Sequence, residues 1–334
     1  MKTNINLRQE IILLVRGYFL TPVIATLAKE NFFSKNNNKY FKIKDRKLNI
    51  LINYLVNLGL IKKKNDKFYF SKLGKKFFNR SGSFNIVNSY RKYLFYLDKI
   101  IRNKKKLDEL SCDRKENVLG SGSTNNRKFF QPGLKLLAKE DFDIVFDLGC
   151  GDGIFLENLS KKYQNKIISG SDLSKISIQE TKKRINKKNL KLIQANALNT
   201  DKWINWLIKN YDTKKQKIII SMWFIIHEIS KKNVNKIISF FKKIKKKIPS
   251  AKILLGEIVE PEQRILDEKK YDSIMPEYMF FHNLSGQGVF NYKELKLILK
   301  KIPYQCKKNI NIDTITYKKR KNPSGIIWLL EPKK

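Results

Sequence analysis

Three observations predict an α/β protein in which a doubly wound parallel sheet follows a smaller helical domain. Beyond residue 130, short apolar runs alternate with helical segments. The first of those runs leads into a glycine-rich turn. The first hundred residues instead read as helices closed by one hairpin. The expected division is residues 1–100 as the helical domain, 101–130 as a polar linker or pocket cover, and 131–334 as the sheet domain.

In the first domain, Leu7 to Leu27 carries apolar residues at helical intervals, and Leu48, Leu51, Ile52, Leu55, Val56 and Leu58 recur at steps of three and four. Gly59 stops that helix. Leu60-Ile61, a polar tip from Lys62 to Lys67, and Phe68-Tyr69-Phe70 read as two strands joined by a turn. Helices followed by such a hairpin make a winged helix, a module that serves DNA binding in regulators and dimerisation in front of some enzymes. Residues 101–128 are polar, with Gly120 and Gly122 among Ser and Asn, and suggest a loop.

In the second domain, the expected strands are Ile144 to Leu148, Ile167 to Ser171, Lys191 to Gln194, Ile218 to Met222 and Lys252 to Glu257. Helices are expected between them at Ile154 to Tyr163, Ser177 to Lys187, Lys202 to Asn210 and Lys232 to Lys247. A sheet wound in this way binds ligands beyond the carboxyl ends of its strands.

Composition narrows the function. The 334 residues carry 70 Lys and Arg against 30 Asp and Glu, a formal charge of +40. Such a charge first suggests nucleic acid, but only 11 of the 70 are Arg, the residue that forks onto phosphates and guanines. Lys, Asn and Ile, which AT-rich codons encode, are spread along the whole chain. The expectation is no nucleic-acid partner and no membrane partner. The apolar runs Ile218 to Ile226 and Ile11 to Ala28, the latter broken by Arg16 and Pro22, read as too short to span a bilayer. No signal peptide is evident, so a cytoplasmic protein is expected. Cys112, Cys150 and Cys306 form no C-x-x-C pair, which excludes a disulfide scaffold or a cysteine zinc site.

The strongest motif is Val145-Phe146-Asp147-Leu148-Gly149-Cys150-Gly151-Asp152-Gly153. Its glycines let the backbone turn sharply and approach a ligand. Asp147 stands at the strand end, and a second acid, Asp172, closes the next strand, where it can accept hydrogen bonds from ribose hydroxyls. Leu156 replaces the third glycine of the dinucleotide fingerprint, which disfavours NAD and FAD.

This motif, D-L-G-C-G-D-G followed by S-D-L-S, resembles motif I and the next acid of class I S-adenosylmethionine-dependent methyltransferases. The resemblance implies a Rossmann-like methyltransferase sheet in which Gly149, Gly151 and Gly153 wrap the methionine portion of S-adenosylmethionine. By the same analogy Asp172 holds the ribose, Asn196 and Ala197 flank the adenine, and Asp147 and Ser221 complete the cofactor set. With a winged helix in front, the chain is similar to small-molecule O-methyltransferases of the phenolic and hydroxyindole type. That likeness implies a homodimer formed by the N-terminal domain and a small-molecule substrate.

The two histidines both fall near this region. His227 lies in Ser221-Met222-Trp223-Phe224-Ile225-Ile226-His227-Glu228. In the O-methyltransferases a matching His-Asp pair supplies the general base, so His227 is the candidate base with Glu228 as its carboxylate. His282 follows the run Met279-Phe280-Phe281. The stretch S-I-M-P-E-Y-M-F-F-H-N-L-S-G-Q-G resembles 2-oxo acid C-methyltransferases of the 2-ketoarginine and phenylpyruvate type. This narrower resemblance implies His227 and His282 as ligands of one iron or other divalent metal, and gives the expected function, methylation of a 2-oxo acid at the carbon next to its ketone through a metal-stabilised enolate, with a metal-free O-methyltransferase as the alternative. The two resemblances assign His227 differently, as free base or as ligand. Trp223, Glu260, Glu277 and Phe281 are candidate pocket residues, with Asp272, Tyr278 and Phe280 beside them. A guanidinium-bearing substrate would use the carboxylates and an aromatic one the rings; the same residues equally fit surface and core.

Overall fold

The computed structural model describes residues 6–104, 112–185, 190–230, 233–262, 275–313, 315–317 and 320–334. The chain forms two compact units, Met1–Phe95 with Ser111–Thr124, and Tyr96–Leu110 with Asn125–Lys334.

The first unit contains helices α1 (Leu7–Lys29), α2 (Phe32–Asn36) and α3 (Arg46–Asn57), strands β1 (Ile61–Lys64) and β2 (Lys67–Phe70), and helices α4 (Lys72–Phe78), α5 (Ser81–Ser89) and α6 (Arg91–Phe95). Asp45 caps α3, its carboxylate accepting from Leu48 N–H at 2.7 Å. Gly59, at φ +70°, ends it. The hairpin is longer than its apolar residues suggest: Lys62, Lys63 and Lys64 pair with Tyr69, Phe68 and Lys67, so only Asn65 and Asp66 turn. Alternation hides this, because the lysines of β1 face solvent while Phe68 and Phe70 of β2 are buried. Leu20, Ile24, Leu27, Ile52, Leu55, Leu60, Ile61, Phe68, Phe70 and Phe78 form the core of this winged helix.

Helix α1 corrects one expectation. It runs unbroken through Arg16 and Pro22 for 23 residues, long and apolar enough by length and composition to cross a membrane. Its second half, with Leu20, Ile24, Ala25 and Leu27, is buried within the unit, whereas Leu7, Ile11, Leu14, Tyr18 and Phe19 of its first half are exposed.

The expected linker is also largely helical. After α7 (Leu97–Ile101), α8 (Arg114–Asn125) joins the first unit up to Thr124, and a π-helix (Asn126–Phe130) leads into α9 (Gln131–Leu137) in the second. Gly120 does not mark a loop. A Cβ there would stand 2.7 Å from Gly82 O, so α5 and α8 touch backbone to backbone. Buried Glu116 holds the start of α8, bonded to Asn88 Nδ2 at 2.8 Å and Arg91 at 2.7 Å, with Lys29 3.4 Å away.

The second unit continues as β3 (Ile144–Leu148), α10 (Ile154–Lys162), β4 (Ile167–Asp172), α11 (Lys175–Arg184), β5 (Lys191–Gln194), α12 (Thr200–Asn210), β6 (Ile218–Trp223), α13 (Ile226–Ser230), α14 (Val234–Lys247) and β7 (Lys252–Ile258). There follow α15 (Met275–Leu284), α16 (Tyr292–Lys301), β8 (Tyr304–Ile312), β9 (Ile315–Tyr317), β10 (Arg320–Asn322) and β11 (Gly325–Pro332). The main sheet has the order β5-β4-β3-β6-β7-β11-β8. Its first five members are parallel, as the alternation predicts, but β11 runs antiparallel to both β7 and β8. The β8 and β11 strands lie outside the expected set, and no helix separates one from the other. The order in which the strands are laid down reverses between the parallel neighbours β3 and β6, so their carboxyl ends open the crevice where a doubly wound sheet takes its ligand.

Period-two alternation sorts the core. Phe146, Ile220 and Met222 face α12 and α14 with Trp203, Phe240 and Phe241. Val145, Ile219 and Trp223 face the opposite layer with Phe130, Phe155 and Leu156.

Candidate active site

The glycine turn leaves β3 with Gly149, Gly151 and Gly153 at φ +80°, +58° and +80°, values that L side chains rarely adopt. Space enforces the same choice: a Cβ on Gly149 would lie 2.5 Å from Ile225 Cδ1, and one on Gly153 would lie 2.7 Å from Thr181. Asp172, at the end of β4, receives Gly151 N–H at 3.0 Å and Ser174 N–H at 2.8 Å. Its carboxylate therefore borders the turn at the carboxyl edge. Asn196 and Ala197 follow β5 on the same edge. Asn196 is exposed and its side-chain oxygen accepts from Leu198 N–H, while Ala197 O accepts from Trp203 Nε1. Leu173 and Leu198, which composition alone does not single out, expose apolar surface beside them.

Asp147 is nearly inaccessible. Ser221, its register neighbour on β6, donates to it at 2.6 Å. Burial pushes the Asp147 carboxyl up to about 7, the Ser221 bond opposes this, and the charge of Asp172 adds to it. Ser221 is thus a holder of Asp147 rather than an open cofactor contact. Asp152 is also buried, and burial raises it to about 6 against the pull of Arg184. Arg184 binds its carboxylate at 2.9 Å and its carbonyl at 2.8 Å. Thr181 donates to Gly151 O at 3.0 Å. Helix α11 therefore braces the turn through Thr181 and Arg184, two residues that carry no motif signal.

The histidine region departs most from expectation. His227, on the first turn of α13, is buried, and its Nδ1 lies 2.7 Å from Glu257 Oε1. Glu257 is completely buried at the end of β7, and its other oxygen accepts from Ile226 N–H at 2.9 Å. The carboxylate that orients the imidazole is Glu257, whereas the expected partner, Glu228, is exposed. Burial lowers the His227 pKa, but the charge and hydrogen bond of Glu257, with a further contribution from the charge of Glu228, raise it overall above the ordinary value. The one clue in sequence is an acid inside an otherwise apolar strand, K-I-L-L-G-E-I.

His282, on α15, stands with its ring centroid 5.2 Å from that of His227. Its Nδ1 lies 2.8 Å from Tyr278 O, and a carbonyl only accepts, so Nδ1 carries the hydrogen. Burial first, then the charge of His227, depress it to about 3, which leaves a neutral imidazole. The two histidines are therefore brought together. Among the described residues, however, no group of three or more His, Cys, Asp or Glu converges. Two imidazoles are fewer than the three or four protein ligands of usual resident metal sites, so a metal held by His227 and His282 would draw its remaining ligands from substrate and water.

Of the other expected pocket residues, Trp223 is core. It packs on Phe130 and Phe155, and any Cβ on Gly133 or Gly256 would strike its ring. Odd-numbered positions of β6 face the layer of Phe130 and Phe155, which explains both Ser221 and Trp223. Phe281 is buried and Glu277 is exposed on the first turn of α15. Glu260 is half-buried, its N–H bonded to Phe290 O. Asp272 lies outside the described residues.

Comparison with known proteins agrees with this architecture. Residues 16–104 match the family described as AprA winged helix domain, and residues 145–247 match the family described as methyltransferase domain. No protein of curated function matches the sequence. Among solved structures, an O-methyltransferase family protein from Burkholderia thailandensis superposes with a TM-score of 0.61 at 11% identity, covering 98% of this chain and 99% of that one. Human N-acetylserotonin methyltransferase, solved in complex with S-adenosylmethionine, also gives 0.61 at 11% identity and covers all of both chains. A mitomycin 7-O-methyltransferase gives 0.57 at 9% identity, covering 97% of each. Residues 145–247 are thus a methyltransferase domain, and the whole chain is built as a class I S-adenosylmethionine-dependent methyltransferase of the O-methyltransferase-like fold, with a winged helix at its N-terminal end.

Proposed function

We propose that this protein transfers the methyl group of S-adenosylmethionine to a hydroxyl oxygen of a small molecule, with His227 as general base. The observation that carries the reading is the buried His227–Glu257 pair, 2.7 Å apart, on a turn that also contacts Gly149. When bound, S-adenosylmethionine supplies an electrophilic methyl on its sulfonium. The left-handed glycines leave room for its backbone-close approach, and Asp172 accepts from ribose hydroxyls at the carboxyl edge. Because Nδ1 of His227 donates to Glu257, the neutral ring presents its lone pair at Nε2. That nitrogen would take the hydroxyl proton as the oxygen forms its bond to the methyl carbon and the S–CH3 bond breaks, S-adenosylhomocysteine leaving, and Glu257 would stabilise the imidazolium that results. The buried carboxylate also fixes the ring's orientation, as the acid of a catalytic triad does.

A second reading is C-methylation of a 2-oxo acid, favoured by the neutral imidazole of His282 beside His227. Here His227 and His282 would hold the metal that grips the 2-oxo acid, so His227 would not be the free base. Labelled S-adenosylmethionine offered with a panel of phenols and 2-oxo acids, with and without chelator, separates the two. Chelator-insensitive methylation of phenolic oxygen supports the first. Turnover of 2-oxo acids alone, lost on chelation, would replace it. Absence of S-adenosylmethionine binding in calorimetry would remove both.

We further place the enzyme in the cytoplasm as a homodimer, the exposed apolar first half of α1 being the surface that a second copy covers.

A further inference from the structure

We propose that Phe224 is a positioning residue whose left-handed backbone, clamped by Phe129, bridges the glycine turn to the His227–Glu257 pair and sets where the imidazole stands. Phe224 has φ +60°, a conformation that a bulky side chain rarely adopts. Glycine would hold it without strain, so the aromatic ring itself must be what the site uses. That ring meets Phe129 edge-on, with centroids 4.8 Å apart and planes at 79°. Phe129 is itself fixed: it is buried on the π-helix, and a Cβ on Gly325 would lie 2.5 Å from its ring. Insertions of this helical type recur at functional sites.

The three residues that follow each reach a different piece of the machinery. Ile225 sits against Gly149 of the cofactor turn. Ile226 N–H reaches Glu257 Oε2, and His227 reaches Glu257 Oε1. Phe224 N–H is itself tied to Gly256 O at 2.8 Å, next to Glu257 on β7. An extended or right-handed helical backbone at position 224 would send all three contacts elsewhere. Cofactor turn and base are thus joined by one rigid, aromatic-anchored link. This link is geometric, and only its catalytic consequence rests on His227 being the base.

The chain has two histidines, so 15N-histidine labelling yields two imidazoles whose ring signals report directly on the link. In the wild-type protein, S-adenosylhomocysteine should shift the His227 signals, and the Nδ1–H bonded to Glu257 should be protected from exchange. In Phe224→Gly, which relaxes the backbone and removes the ring, that protection and the ligand-induced shift should be lost while calorimetric cofactor affinity persists. On the acceptor that the substrate panel identifies, kcat should fall about 10²-fold, as for an angstrom-scale misplacement, with KM little changed. A folded Phe224→Gly protein with wild-type imidazole signals and wild-type kcat would overturn the proposal. Should that variant fail to fold, Phe129→Ala, which leaves residue 224 intact, should show the same loss of protection, with Phe129→Tyr restoring it; unchanged signals in Phe129→Ala overturn it equally. A wild-type protein that binds no cofactor would strike the proposed function instead, while exchange protection in the ligand-free variants would still test the link.

Discussion

Glu257 shows how a single residue can reverse a local reading. Glu228 adjoins His227 in sequence, but the first turn of α13 carries it to solvent, while β7 delivers Glu257 into the same buried space. Replacing Glu257 with Gln should lower kcat by about 10²-fold or more, within the range of positioned acid–base groups. Replacing Glu228 with Gln should change it little. Steady-state kinetics on the identified acceptor checks both. Because the His227 pKa is raised, the neutral base gains population only above the ordinary histidine value. The methyl-transfer rate should therefore climb with pH through a point above 6.5, and Glu257→Gln should move that limb to lower pH. Stability follows linkage with opposite signs at the two histidines. The contribution of His227 is fully present below its unfolded pKa and is lost as pH rises through its folded one. His282, held near 3, contributes above about 6.5 and loses that contribution as pH falls toward 3. His282→Gln should accordingly flatten the acid limb of a melting-temperature profile.

At the scale of elements, the glycine turn and the α5–α8 crossing illustrate two uses of the same residue. In the turn, positive φ and the Ile225 contact act together, so Gly149→Ala should cost about 1–3 kcal/mol of stability and abolish cofactor binding in calorimetry. At the crossing, backbone proximity to Gly82 is what excludes a side chain from Gly120. The turn was legible because its glycines are flanked by an apolar strand and a spaced acid. The crossing was not, since glycine and serine in a polar stretch read as a loop until another helix is known to lie across them. Nor did the residues around α8 announce the buried Glu116, which answers to Arg91 and Asn88 from elements about 25 residues earlier. Glu116→Ala leaves the buried Asn88 amide without its acceptor, while the half-exposed Arg91 keeps Asp113, and should destabilise by about 1–3 kcal/mol in chemical denaturation, the usual loss for a buried group left unpaired.

For the whole molecule, the exposed large apolar side chains among the described residues gather most densely on the first half of α1. Charged substitutions there, such as Leu14→Lys with Ile11→Lys, should convert a dimer to monomer in sedimentation without altering the far-ultraviolet spectrum; a wild-type monomer would contradict the proposed assembly. The +40 charge is carried by lysines distributed over both units, consistent with a solvated surface that draws small anions by its field. Sequence by itself determined the winged helix, the parallel strands in order, the glycine turn and Asp172, because each is a local pattern of period, apolarity or spacing. Only the tertiary structure decided that Ser221 and Trp223 turn into the core, that β11 enters antiparallel, and that Glu257 rather than Glu228 holds His227. Those outcomes depend on which strands become neighbours and which face of each is covered, and pairing between distant segments leaves no local trace in the residues that take part.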